Sequence, residues 1–129
     1  MTPDRSTQGQ AQHSALARER WSSFSPAQQI LMIANEMNRA KRLFPLQDKR
    51  GLKLCYERIL YLSDLTIQSN SRSGFRKELL RWRDLAAEEY LLFYQSDEME
   101  RPDIKRHLKI FKLLLLLSPE SAKQIHYLI

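Results

Sequence analysis

Apolar side chains recur every three or four positions from residue 26 to residue 117, the period of α-helices that each bury one face, and no stretch alternates as a strand would. The first strong start signal is Ser25-Pro26-Ala27-Gln28: a serine cap, proline at the first helical position, and glutamine three residues after the cap. The helix it opens carries Ile30, Ile33, Ala34, Met37, Ala40 and Phe44 on one face, and Pro45 ends it. Asp48 then caps a second helix reaching about Gln68, with Leu52, Cys55, Tyr56, Ile59 and Leu62 on its main stripe. At 100° per residue Leu54, Tyr61 and Leu65 fall on nearly the opposite side, so this helix is apolar on two faces and is expected at the centre or at an interface.

The polar run from Ser69 to Gly74 is a loop, and a third helix follows it to about Gln95 with Phe75, Leu79, Trp82, Ala86, Tyr90 and Phe93 as its stripe. Asp97 to Glu100 break the pattern. Pro102 suits the first turn of a fourth helix bearing Ile104, Leu108, Phe111 and Leu115. Ser118-Pro119-Glu120 repeats the cap-and-proline signal and starts a short last helix with Ile125 and Leu128. Ahead of these, Ala15 to Trp21 suits a short helix laying Leu16 and Trp21 on the body, while residues 1–14 have almost nothing to bury and read as a disordered tail. The expected architecture is all-α: an antiparallel bundle of four principal helices with short flanking helices, forming one domain over residues 15–129.

Composition narrows the chemistry. The chain has 129 residues, 43% of them hydrophobic and 28% charged, which suits one globular domain that needs neither metal nor disulfide for stability. Its single cysteine, Cys55, excludes an intramolecular disulfide and a thiolate zinc site. Gly9, Gly51 and Gly74 cannot be arranged into a phosphate-cradling motif. The longest apolar run, Leu113 to Leu117, is far short of a membrane span, and the N-terminus lacks a signal-peptide core, so the expected location is cytoplasmic with no membrane partner. Bundle enzymes with di-iron sites use Glu-x-x-His motifs, and none occurs here; no metal or other cofactor is expected.

The net charge of +6 conceals strong local imbalance. Residues 39–58 hold seven basic side chains against Asp48 and Glu57, and residues 72–83 hold five against Glu78. Residues 84–103 reverse the balance, with seven acidic side chains against Arg101. Arg42, Lys49, Arg50 and Lys53 are candidate contacts to a nucleic acid or another anion, through phosphates whose counterions are released on binding. Lys105, Lys109 and Lys112 recur on one face of the fourth helix beside Arg106, as an amphipathic basic helix able to touch RNA or an acidic protein. The alternative is that basic and acidic segments are solvated faces or complement each other in assembly; the aromatic residues follow the core stripes and do not interleave with the charges as a base-stacking surface would.

Arg101 and His107 stand five residues apart, a spacing that resembles the arginine, four to six residues, histidine arrangement of ribonucleases in the HEPN family. The resemblance covers seven residues, and Pro102 departs from the polar residue usual after the arginine. It implies an all-α ribonuclease in which the pair polarises a scissile phosphate and moves a proton; the alternative role for His107 is a surface histidine beside Arg106.

Two polar positions fall on apolar stripes. Glu89 lies near the centre of the Phe75/Trp82/Phe93 stripe and Lys41 near the line of Met37 and Phe44. A buried carboxylate must be paired, hydrogen-bonded or protonated, so Glu89 is expected to meet Lys41 or an arginine between helices, with a raised-pKa acid in a pocket as the functional alternative. Cys55, between Leu52 and Ile59, reads as a small buried hydrophobe. The apolar backs at Leu54, Tyr61 and Leu65, with Leu80, Leu91 and the Leu113 to Leu117 run, exceed what a small bundle readily covers. The first expectation is therefore a non-enzymatic helical interaction module that self-associates as a homodimer and whose basic segments touch an anionic macromolecule; the alternative is an RNA-acting enzyme using Arg101 and His107.

Overall fold

The computed structural model describes residues 18–71, 73–95 and 102–129, the side chains of residues 73 and 93–95 excepted. The tail at 1–14, Leu16, the Phe93 side chain, the Asp97 to Glu100 break and Arg101 lie outside the described residues. Within them the chain is helical and holds no strand. After a short helix at residues 18–22 (α1) come α2 (Pro26–Lys41), α3 (Lys49–Ser69), α4 (Ser73–Gln95), α5 (Ile104–Leu115), α6 (Pro119–Ala122) and α7 (Ile125–Leu128).

The helix starts are explained by their caps. Ser25 Oγ accepts from the Gln28 amide at 3.2 Å and the Gln28 side chain accepts from the Ser25 amide at 2.9 Å, a reciprocal capping box. Asp48 accepts from the Gly51 amide at 2.9 Å at the head of α3. The cap of α5 is Asp103, which accepts from the Lys105 amide at 2.9 Å; Pro102 therefore precedes the cap, one step ahead of the expected first turn. α2 also stops earlier than Pro45 suggests. It ends at Lys41, and turns over residues 42–47 carry Phe44 back into the core. Gln47 closes this connection with φ of 55°, a left-handed conformation that few residues other than glycine adopt.

Four long helices pack as a closed ring: α2 on α3, α3 on α4, α4 on α5 and α5 on α2. Cross-helix pairs give the directions. Gln29 of α2 meets Asn70 while Glu36 meets Arg58; Asp64 of α3 meets Arg83 while Glu57 meets Tyr90; Trp82 of α4 meets Ile110 while Glu89 meets Arg106. In each pair one number rises as the other falls, so the bundle runs down, up, down, up. One end, here the lower, gathers the end of α2, the start of α3, the end of α4 and the start of α5. The core between them is Ile30, Ile33, Met37, Leu52, Tyr56, Ile59, Leu79, Trp82, Phe111, Leu114 and their neighbours.

α1 settles one face of α3. Trp21 is buried and its indole donates to Thr66 Oγ1 at 2.9 Å, while the Gln29 side-chain Nε2 donates to the Trp21 carbonyl at 2.8 Å. Leu65, expected on an exposed back, is only 5% exposed, with α1 beside it: Arg18 and Leu65 line the same small cavity with Tyr61, Asp64 and Gln68. That part of the interface expectation is corrected, because the same chain covers Leu65. At the C-terminal side, α6 packs on α2 and Lys41 Nζ donates to the Leu128 carbonyl at 2.6 Å.

Gly51 is where close approach demands glycine. A Cβ there would stand 2.4 Å from Asp48 Oδ2 and 2.9 Å from Leu43 Cδ1. Gly51→Ala should thus displace the capping carboxylate and forfeit the ~1 kcal/mol that alanine ordinarily gains over glycine in a helix. In an Asp48→Ala background the same change should recover most of that gain. Urea unfolding of the four proteins checks the coupling, and simple additivity would show that the cap does not require the glycine.

Candidate functional site

His107 sits four residues before Phe111 and three before Ile110, so helical spacing turns its ring to the buried face of α5. It is fully buried. This corrects the surface position: the imidazole lies between three helices, with Nε2 2.8 Å from the Met37 carbonyl of α2 and Nδ1 2.6 Å from the Tyr56 hydroxyl of α3. A carbonyl can only accept, so Nε2 carries the proton, Nδ1 is the acceptor, and the Tyr56 hydroxyl donates to it. Phe44 packs on the ring with centroids 4.9 Å apart, and Phe111 meets it edge-on at 6.1 Å. Both nitrogens are occupied and enclosed, so this ring has no route to a scissile phosphate as the ribonuclease resemblance requires.

Burial also fixes the charge state. It drives the His107 pKa from 6.5 down to about 4, Lys41 adds to the fall, and the Met37 carbonyl opposes it. Burial likewise pushes the Tyr56 hydroxyl well above the usual phenol range, and the Glu89 charge adds to the rise. The site is a neutral, fully engaged hydrogen-bonded link. Its pH dependence follows from the depressed histidine: the unfolded chain binds the proton first.

Beside it, Glu89 is 3% exposed on α4, and its Oε1 lies 2.8 Å from Arg106 Nε of α5. The approach is off the N–H axis, so the contact is an ion pair and leaves this buried oxygen without a hydrogen bond among the described residues. Burial raises the carboxyl pKa, Arg106 opposes the rise, and Asp103 and Glu88 reinforce it. Lys41, the other cation considered for Glu89, is instead half-buried and committed to the Leu128 carbonyl. Over the pair runs a shallow groove of about 210 Å³ between α4 and α5, lined by Leu85, Glu88, Glu89, Arg106, Lys109, Ile110 and Leu113.

The basic candidates divide by end. Arg42 and Arg50 are exposed and Lys49 and Lys53 half-buried at the lower end, where Lys105 and Lys109 also emerge from the first turns of α5; Lys112 is exposed one turn further up. The basic start of α4 is at the upper end, apart from them. Some cations are spent within the fold: Glu36 takes both Arg39 and Arg58, and Asp64 takes Arg83 through two contacts. Among the interface candidates Leu54 and Tyr61 remain about half exposed. Cys55 is buried, and that burial lifts its thiol pKa, with Arg58 pulling the other way. Among the described residues no group of three or more His, Cys, Asp or Glu could hold a metal ion, and no helix is long and apolar enough to cross a membrane.

Sequence reading missed the roles of Tyr56 and Arg106. Tyr56 was one apolar position among several, and a hydroxyl's partner on another helix has no signature in spacing. The signal for His107 was present in its distance from Ile110 and Phe111. Comparison of the chain with protein-family models, with curated proteins and with solved structures finds no match.

Two measurements probe this polar core. Between the unfolded histidine pKa of 6.5 and the folded value of about 4, stability should fall as pH falls, by about 3 kcal/mol in total from His107. His107→Phe should be less stable at pH 7.5 yet lack this component, so the gap between the two proteins should narrow toward pH 4; denaturant unfolding across that window checks it, and a constant gap would refute it. Arg106→Ala leaves Glu89 without its ion-pair partner and should cost about 2 kcal/mol at pH 7, discounted because Arg106 is 55% exposed. Since a protonated carboxyl needs no cation, that cost should shrink as the pH falls through the raised Glu89 pKa.

Proposed function

We propose that this chain is a non-enzymatic helical interaction module that associates with a second copy of itself. The observation that carries the reading is the set of large apolar side chains left on the outside after the four helices have closed their ring. Leu80, Leu85, Leu91 and Leu92 of α4, Leu113 of α5 and Leu116 at its C-cap are each more than a third exposed, as are Leu54 and Tyr61 of α3. Scattered exposed leucines are ordinary, but six gathered on two adjacent helices concentrate apolar surface of the kind that partners cover. A second copy is the simplest partner because it always presents the same patch, and a two-fold pairing closes without further growth.

A second reading has its own support. The Phe44–His107 contact draws the start of α5 against the α2–α3 connection, so Lys105 and Lys109 share an end of the bundle with Arg42, Lys49, Arg50 and Lys53. Such a basic end suits an anionic macromolecule, a nucleic acid above all, held through its phosphates.

Sedimentation velocity at micromolar concentration tests the first reading: the expected species is a dimer, and a strictly monomeric protein would overturn it. For the second, RNA and DNA binding measured across a salt series should weaken steeply as salt rises, and Arg50→Ala with Lys105→Ala should flatten that dependence; binding insensitive to salt, or none at low salt, rejects it.

A further inference from the structure

The outer line of α4 carries Lys77, Arg81, Asp84 and Glu88, all exposed. Their spacings of four, three and four residues keep them on one face of the helix, and their signs run plus, plus, minus, minus. Within one helix that order sets Lys77 with Arg81 and Asp84 with Glu88 as like-charge neighbours at i and i+4, with Arg81 and Asp84 the one opposite-sign pair, at i and i+3. The ion pair that Arg81 makes in its own chain is to Glu78 at 3.2 Å, between side chains 76% and 58% exposed, which is a weak tie. On the α3 side the arrangement differs: Glu57 and Asp64 are already taken by Tyr90 and Arg83 of the same chain, so that surface offers no comparable sign pattern to a partner.

Leucines stand on both shoulders of the charged line, Leu80 and Leu91 toward α3 and Leu85 and Leu92 toward α5, where Leu113 and Leu116 extend the apolar strip. A helix of 23 residues is roughly 34 Å long, and with the edges of its two neighbours it offers an area of the order of the 800 Å² per partner that a standard interface uses.

Resting on the self-association proposed above, we infer that two copies pair α4 against α4, antiparallel, about a two-fold axis that passes between the two helices level with residues 82 and 83. Lys77 of each chain then faces Glu88 of the other, and Arg81 faces Asp84. A parallel pairing sets like charge on like charge along the whole line, so the sign pattern selects direction as well as partner. The two-fold axis maps each shoulder onto its own copy, so the α5-side leucines meet α5-side leucines and the charged line is enclosed between two apolar strips. The like-charge neighbours that repel within one chain become, in the pair, two clusters of alternating sign.

The test uses two charge-reversed proteins. In one, Lys77→Glu with Arg81→Glu makes the line wholly acidic; in the other, Asp84→Lys with Glu88→Lys makes it wholly basic. By sedimentation velocity the wild-type chain should run at twice its 15.3 kDa mass. Each variant alone should dimerise at least roughly tenfold more weakly, and an equimolar mixture should recover a dimer containing one of each, since every facing position is then opposite in sign. Wild-type monomer overturns both this inference and the self-association beneath it. Dimers that persist in either variant, or a mixture that stays monomeric, overturn the α4 pairing while leaving self-association of the wild type standing. Helical circular dichroism of each variant verifies folding; should one unfold, the single changes Arg81→Glu and Asp84→Lys, which face each other in the pairing, carry the same test with the same outcomes.

Discussion

One imidazole joins three of the four long helices. His107 donates a hydrogen bond through Nε2–H to a carbonyl of α2 and accepts one at Nδ1 from a hydroxyl of α3, and Phe44, from the connection between them, packs on its ring at a tilt. Apolar side chains can slide against one another at small cost, but a two-ended hydrogen-bonded link in a dry core cannot, since either end left unpaired costs about 1–3 kcal/mol. The link therefore fixes the height of α5 relative to α2 and α3. The Glu89 to Arg106 contact and the Trp82 indole on the Ile110 carbonyl then set α4 against α5 at that height. The groove between these two helices and the leucines beside it take their positions from this register.

Much of this was legible in the residue pattern, and the limits have physical causes. Caps at Ser25, Asp48 and Ser118 are local, made by a side chain and an amide three residues on, so the sequence displays them directly. Core faces repeat with the helical period, and Ile30, Met37, Leu52, Ile59, Leu79 and Trp82 all follow it into the interior. Leu65 could not be placed because its cover comes from α1, more than forty residues away, and periodicity within α3 cannot say what lies outside it. The partner of Glu89 was open for the same reason: spacing names the buried acid, while the identity of the arginine depends on how α5 is seated. His107 is the instructive case, since its distance from Ile110 and Phe111 already placed it inward, and a two-residue catalytic spacing drew attention away from the period of its own helix.

The charge segregation within α4 has a different origin from the polar core. The outer line of Lys77, Arg81, Asp84 and Glu88 is no part of the core, for the buried positions Leu79, Trp82, Ala86 and Glu89 lie on another side. Core and outer line are thus separate constraints written on one helix: the first secures the monomer, and the second bears on what the monomer meets. The net excess of positive charge is correspondingly a poor description of the molecule, since basic side chains gather at both ends while the outer line of α4 carries both signs.

The buried thiol has a consequence for that encounter. Cys55 is the only cysteine in the chain, packed in the core with its ionisation suppressed by burial. Two chains held together cannot be stapled by oxidation without first opening the bundle, and a reducing environment has no bond to break. In the proposed pair the balance between one chain and two would be left to mass action, so such an assembly would report how much of the protein is present and stay indifferent to the redox state around it.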